Sequence, residues 1–240
     1  MKILLSWSSG KDSAWSLHLL RADPKIEVVG LVTTTNAAFD RVAMHGVRRE
    51  ILEAQARAAG LPLHVIPLPW PCSNEDYERL MGRFVADAVA AGIEAMAFGD
   101  LFLEDIRRYR ETKLAGTGLE PKFPLWRKPT RALAEEMIAG GLDTIIVTVD
   151  PSKIDPSFAG RRFDRAFLSD LPAGVDPCGE NGEFHTCVVA GPMFAHALPV
   201  TIGETVHRDG FVFTDVTLNR PHSGRVQGAT PSREQDLTAP

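Results

Sequence analysis

Lys2-Ile3-Leu4-Leu5-Ser6-Trp7-Ser8-Ser9-Gly10-Lys11-Asp12-Ser13 opens the chain with an apolar run that passes into a loop of small residues. Lys2 to Trp7 has the length and continuity of a strand buried on both faces. A helical pattern follows from Ser13 to Leu20, with Trp15, Leu17 and Leu20 among its apolar residues. A strand, a tight loop and a helix start together make an anion site, because backbone N–H groups point outward there and the helix dipole favours negative charge. Gly10 permits close backbone approach. Ser8, Ser9 and Ser13 add hydroxyl donors and Lys11 a positive charge. Asp12 is suited equally to capping the helix and to positioning a metal.

Outward from this loop, β-rich runs alternate with helical patterns. Glu27–Thr35 reads as a buried strand, Arg41–Ala59 as a helix carrying Val47, Ile51, Ala54 and Ala58, and Leu63–Pro67 as a strand. Ser73, three residues before Asp76, marks a helix start, with Tyr77, Leu80, Met81, Phe84, Val85 and Ala88 on one face. Ala95–Phe98 reads as a strand ending at Gly99-Asp100, Arg131–Ile138 as a helix and Thr144–Val149 as a strong strand. The alternation predicts a parallel, doubly wound, Rossmann-like α/β sheet whose ligands bind beyond the carboxyl ends of its strands. From Pro151 the helical periodicity fades, and Ile202–Arg208 and Phe211–Leu218 predict a hairpin across Asp209-Gly210. The expected organisation is a nucleotide domain over 1–150, a smaller α+β region over 151–220 and a disordered tail over 221–240.

The 240 residues carry a formal net charge of -5, which argues against gripping nucleic acid as the main activity. Cys72, Cys178 and Cys187 form no C-x-x-C pair and no disulfide framework, so a reducing, cytoplasmic setting is expected. Cys72 reads as buried rather than reactive. A zinc set of Cys178, His185 and Cys187 matches no common spacing. No apolar run approaches the roughly 20 residues needed to span a bilayer.

Two further segments concentrate chemistry. Gly99-Asp100 follows a strand end and leads into Glu104–Glu111, where Arg107 and Glu111 stand four apart. That run reads either as a solvated, salt-bridged helix or as part of the site. Gly179-Glu180-Asn181-Gly182-Glu183-Phe184-His185-Thr186 packs Glu180, Glu183 and His185 into eight residues, a set fit for acid–base work or for orienting an amine, or else a polar turn between strands. His45 falls beside the expected nucleotide edge, where a loop histidine is more often surface decoration. Trp126 reads as core.

The loop does not fit the Walker pattern, which would need Gly at Leu5 and Ser or Thr at Asp12. It resembles instead the S-G-G-x-D-S PP-loop of ATP pyrophosphatases, with Ser9 at the first glycine position. Gly179–Thr186 is similar to the G-E-N-G-E-F-H-T of the diphthine–ammonia ligase family, the ATP-binding diphthamide synthase domain. Pro124-Leu125-Trp126 matches its P-L-W, and Gly191-Pro192 with Phe194 its G-P-x-F. Against the family's Y-Q-R-x-R-V-E, Arg107 and Glu111 match, Asp105-Ile106 replace Y-Q, and Tyr109 stands at the second arginine.

This resemblance implies an adenine nucleotide alpha hydrolase fold and an AMP-forming carbon–nitrogen ligase. Such an enzyme uses ATP and Mg²⁺, adenylates a carboxylate, releases pyrophosphate and forms an amide with ammonia. Diphthine, a modified histidine on a translation elongation factor, or another carboxylate would be the acceptor, and a homodimer is among the expectations. The implied nucleotide contacts are Ser8 to Ser13, Leu31, Gly99, Asp100, Arg107 and Glu111, with Asp12 on the metal. Leu31 enters because second-strand backbone pairs with the base in such folds. A PP-loop tRNA-modifying enzyme or a nucleotide-binding module without turnover are the alternatives.

Overall fold

β1 (Lys2–Ser6) sits at the centre of the first sheet and explains its build. Ile3 and Leu5 belong to one apolar cluster and Leu4 to another, so alternate side chains are buried on opposite faces. The computed structural model describes residues 1–38, 41–42 and 46–219. His45 and the segment 221–240 lie outside the described residues.

In chain order, β1 is followed by α1 (Lys11–Ala22), β2 (Glu27–Asn36), β3 (Arg41–Val42), α2 (Arg49–Ala59), β4 (Leu63–Leu68) and α3 (Asn74–Ala90). Then come β5 (Ala95–Ala97), α4 (Glu104–Leu114), β6 (Glu120–Lys122), α5 (Thr130–Ala139) and β7 (Asp143–Val149). A short 3₁₀ turn (Pro156–Phe158), α6 (Arg165–Asp170), β8 (Phe184–Ala190), β9 (Val200–Arg208) and β10 (Phe211–Leu218) complete the order.

The first sheet runs β3-β2-β1-β5-β6, with β4 also on β2. All of its pairings are parallel except the short β2–β3 pair. The second sheet, β8-β7-β10-β9, is antiparallel throughout. The expected mixed α/β architecture is thus present, with a mostly parallel sheet and a smaller antiparallel one.

Several elements follow directly from local chemistry. Ser73 caps α3, its hydroxyl accepting from Asp76 N at 3.0 Å. The hairpin of β9 and β10 turns on Asp209 and Gly210, both at positive φ (52° and 82°), as a two-residue primed turn requires.

Three expectations shift. The helix expected from Arg41 begins at Arg49, because Arg41 and Val42 pair with Asn36 and Thr35 and Gly46 takes a left-handed φ of 66° before it. The strand near 144–149 belongs to the antiparallel sheet, paired with β8 and β10. A continuous apolar run reports burial on both faces but not the direction of its neighbours. Trp126 is only half-buried, against the expectation of core.

The larger apolar cluster runs without a break from Ile3 and Leu5, through α1 and α2, to β7, β8 and β10. A buried amide crosses it. Gln55 of α2 is fully buried; it accepts from Trp7 Nε1 at 2.9 Å and donates to Val188 O at 2.7 Å and Ser9 O at 3.1 Å. It joins α2, β8 and the loop after β1 in one network. Among the described residues no helix is long and apolar enough to cross a membrane.

Removing a buried partner from several groups at once orphans each of them. Gln55→Ala is therefore expected to destabilise the fold by about 3 kcal/mol, read as a lower urea midpoint. A midpoint equal to that of the unaltered protein would refute the bridging role.

Candidate active site

The loop from Ser8 to Ser13 leaves β1 and enters α1 against the antiparallel sheet. Ser9 sits at φ 65° and is fully buried. A left-handed residue with a Cβ is strained by roughly 1–2 kcal/mol, which is why the resembling pattern has glycine there. Ser9 is held by its own hydroxyl, which donates to Ser8 O at 2.6 Å, and by its carbonyl, which accepts from Val188 N at 2.9 Å and from Gln55. The hydroxyls of Ser8 and Ser13 lie 3.2 Å apart, and Ser13 Oγ donates to Gly10 O at 3.0 Å. A Cβ on Gly10 would stand 3.3 Å from Thr186 O and Oγ1, so the loop's close seat on β8 favours glycine. Lys11 N completes that seat by donating to Thr186 Oγ1 at 3.0 Å. Gly10 is the N-cap of α1 and gives it no side-chain cap.

Lys11 does not reach outward. It is 2% exposed, its ammonium donates to Cys178 O and, at 2.8 Å, to Asp12 Oδ2, and it lies 5.5 and 5.8 Å from the ring centres of Phe184 and Phe163. Burial works to lower its pKa, but Asp12 and the neighbouring acidic groups outweigh it and hold the ammonium charged. Its charge ties the loop to the 178–186 segment. Burial likewise pushes the Asp12 carboxyl above the ordinary carboxylate range, with Lys11 opposing. Asp12 Oδ2 is taken by Lys11, whereas Oδ1 is buried without a hydrogen-bond partner.

A cleft of about 320 Å³ opens over this loop. Ser8, Gly10, Lys11, Asp12 and Ser13 line it from one side, Gly99 and Asp100 from the end of β5, and Glu180, His185 and Thr186 from the antiparallel side. Gly99 runs close against α1, since a Cβ there would stand 3.0 Å from the Asp12 carbonyl carbon. The turn that carries Glu180 is built on Asp176, whose Oδ2 accepts from Cys178 N at 3.2 Å and Glu180 N at 2.9 Å. Glu180 Oε1 in turn accepts from Leu101 N at 2.8 Å. Burial chiefly, with Asp12 and Asp100 adding repulsion and the Leu101 N–H opposing, pushes the Glu180 carboxyl up to about 7.

The structure thus brings together Ser8 and Gly10 to Ser13 of the loop, Gly99, Asp100, Glu180 and His185, and sets five other candidates elsewhere. Ser9 is buried beneath the loop, its hydroxyl turned to Ser8 O and not toward the cleft. Glu183 is buried behind the turn, its Oε1 accepting from Asp176 N and Asn181 Nδ2, both at 3.1 Å. Leu31 is fully buried and its strand is paired on both edges, with Leu5 and Leu63 opposite it, so its backbone is already committed to the sheet. Arg107 and Glu111 pair at 2.7 Å, and Arg107 stacks over Trp126 and Phe123 in a separate cleft. The half-buried Trp126 is the platform for that cation.

Besides Lys11, Arg110 lines this cleft, 3.6 Å from Asp100 Oδ2. Sequence reasoning passed over Arg110, Thr186, Asp176 and Gln55. Arg110 stands three residues after Arg107 on the same side of α4, so spacing alone does not separate the arginine that reaches the cleft from the one that stacks on Trp126. Cys72 is half-buried rather than buried. Among the described residues no group of three His, Cys, Asp or Glu could by itself hold a metal ion, so the Cys178–His185–Cys187 set does not form a site.

Comparison with known proteins agrees with these motifs. Residues 1–120 match the diphthamide synthase N-terminal domain and residues 129–217 the diphthamide synthase C-terminal domain. The diphthine–ammonia ligase of Danio rerio is 27% identical over 241 residues, covering 92% of this chain and 94% of that protein. The Bos taurus diphthine–ammonia ligase is 25% identical, covering 92% and 90%. The Schizosaccharomyces pombe diphthine–ammonia ligase is 24% identical over 88% of this chain but only 38% of its own length. With both domain models matched in order and the loop, the Gly99 turn and the 178–186 segment meeting in one cleft, the chain belongs to the diphthamide synthase family.

Proposed function

We propose that this protein is an ATP-dependent ligase that activates a carboxylate as an acyl-adenylate, releases pyrophosphate and forms an amide with ammonia. The observation that carries the proposal is the loop over residues 8–13, seated on Thr186 and Val188 beside an α1 N-terminus without a side-chain cap. That arrangement favours an anion. The Ser8 hydroxyl and the backbone N–H groups at the start of α1 would hold the β and γ phosphates. The names of the relatives support amide formation with ammonia.

The partnerless buried Oδ1 of Asp12 fits Mg²⁺, which is commonly held by one or two carboxylates, with phosphates and water completing its shell. When bound through Asp12, and Asp100 beside it, the ion would neutralise charge on the phosphates.

In the reaction an acceptor carboxylate oxygen attacks the α-phosphorus, and the bond to the β-phosphate oxygen breaks with its electron pair leaving on pyrophosphate. The ammonia nitrogen then attacks the acyl carbon and AMP departs. Glu180, at the cleft wall and poised near neutrality, takes the proton that the nitrogen sheds. His185 lines the same cleft and is the second candidate for handling the amine.

The test is product analysis with α-labelled ATP, Mg²⁺, ammonium and candidate carboxylates, including an elongation factor bearing diphthine. AMP with pyrophosphate is expected, whereas ADP with phosphate as the only products would overturn the reaction class. Asp12→Asn is expected to lower AMP formation by about 10- to 100-fold, with partial recovery at raised Mg²⁺. Activity unchanged in that variant would remove Asp12 from the mechanism.

Glu180 gives a pH test. As a base it must be ionised, so the rate should fall below a midpoint near 7 and the Glu180→Gln variant should lose that limb. Stability carries an independent sign. The folded-state pKa lies above the unfolded value of 4.5, so the folded chain holds the extra proton and stability declines as pH rises from 4.5 to about 7. Glu180→Gln should flatten that slope in urea titrations across this window, and an unaltered slope would show that the carboxyl is not perturbed.

A further inference from the structure

A second cavity, of about 220 Å³, lies between α3 and α4. Tyr77, Met81, Gly82, Met96, Phe98 and Tyr109 give it an aromatic and thioether wall. Phe98 and Arg110 line both this cavity and the phosphate-loop cleft, so the two spaces share one wall. Tyr109, which replaces the second arginine of the family motif, faces this cavity with 39% of its surface exposed.

Two features mark the space as built for a guest. Gly82 lies in the middle of α3, and a Cβ there would meet nothing within 4 Å. Glycine in a helix interior costs about 1 kcal/mol relative to alanine, and Gly82, itself exposed, leaves the rim of the cavity open. At the shared wall the Arg110 guanidinium lies 4.8 Å from the Phe98 ring centre. Arg110 Nε and Asp100 Oδ2 face each other at 3.6 Å, both buried and neither hydrogen-bonded. A guanidinium held to Asp100 by a loose 3.6 Å ion pair, at the neck of an apolar chamber, suits a carboxylate attached to an apolar body. At the rim Glu78 is engaged by Lys113 at 2.5 Å, which makes the space less hospitable to a cationic guest.

We propose that this cavity is the acceptor subsite, taking a small carboxylic acid with an aromatic or branched apolar body. The carboxylate rests on Arg110 and faces the phosphate loop. The volume exceeds that of an apolar cavity of about 150 Å³ that binds benzene, so a single ring on a short linker fits. This inference rests on the ligase reading for the chemistry of its carboxylate, but its test does not require turnover.

Phenylacetate is the probe. With methyl-labelled methionine, millimolar phenylacetate should shift the Met81 and Met96 resonances of the otherwise unaltered protein. Gly82→Leu should fill the cavity without straining α3, and the thermal midpoint should hold or rise. Phenylacetate should then bind roughly 10- to 200-fold more weakly, the span by which an apolar pocket discriminates a poorly fitting group, with MgATP affinity unchanged. In the product assay phenylacetate should outperform acetate in the unaltered protein only. Absence of Met81 and Met96 shifts, or equal binding by the Gly82→Leu protein, overturns the proposal. So does AMP formation on a diphthine-bearing elongation factor that is indifferent to Gly82→Leu, and that outcome leaves the ligase reading standing. Phenylacetate binding at Met81 and Met96 with no AMP formed from any carboxylate would instead sink the ligase reading while keeping the cavity as a carboxylate site.

Discussion

The site depends on an ammonium group that has left water. Dehydrating an ion of this kind costs several kcal/mol even after relaxation, and Lys11 offsets that cost with the Asp12 carboxylate, the Cys178 carbonyl and two ring faces. Each partner fixes something else. Asp12 is turned so that one oxygen is spent and the other remains. Cys178 is held at the head of the turn that carries Glu180. Phe163 and Phe184 belong to the core of the antiparallel sheet. The position of the loop over residues 8–13 is therefore set by packing on a second sheet as much as by β1 and α1.

The alternation of strands and helices was legible because β1, β2 and α3 carry their burial patterns openly, and Ser73 and Asp209-Gly210 mark their boundaries by local chemistry. The sheet to which β7 belongs was not legible. Its apolar run specifies depth, while direction comes from β8 and β10 far along the chain. β6 was missed altogether, because Glu120-Pro121-Lys122 carries no apolar run, whereas the equally short β5 is apolar throughout.

In the site, residue types were easier to read than orientations. The motif pointed to Lys11 as a cation for phosphate, but its side chain turns back into the core. It pointed to Arg107 and Glu111, but they pair with each other over Trp126, and Arg110 faces Asp100. Glu180 and Glu183 look equivalent in the sequence. Only the turn built on Asp176 separates them, sending one carboxylate to the cleft and the other into the backbone of the turn. Ser9 shows the same limit, since its place in a glycine pattern hides a left-handed backbone that the serine tolerates through the bonds around it.

The hydrogen bond from Lys11 to Thr186 spans 175 positions of the chain. Closing so long a loop is entropically slow and rewards the chain only at the end. During synthesis the opening strand and helix emerge well before their seat does. The first hundred residues can wind into a sheet, but their anion cradle has no floor until β8 arrives. The seat of the loop on Thr186 and Val188, and with it the wall of the cleft, is therefore complete only when the last third of the chain has docked.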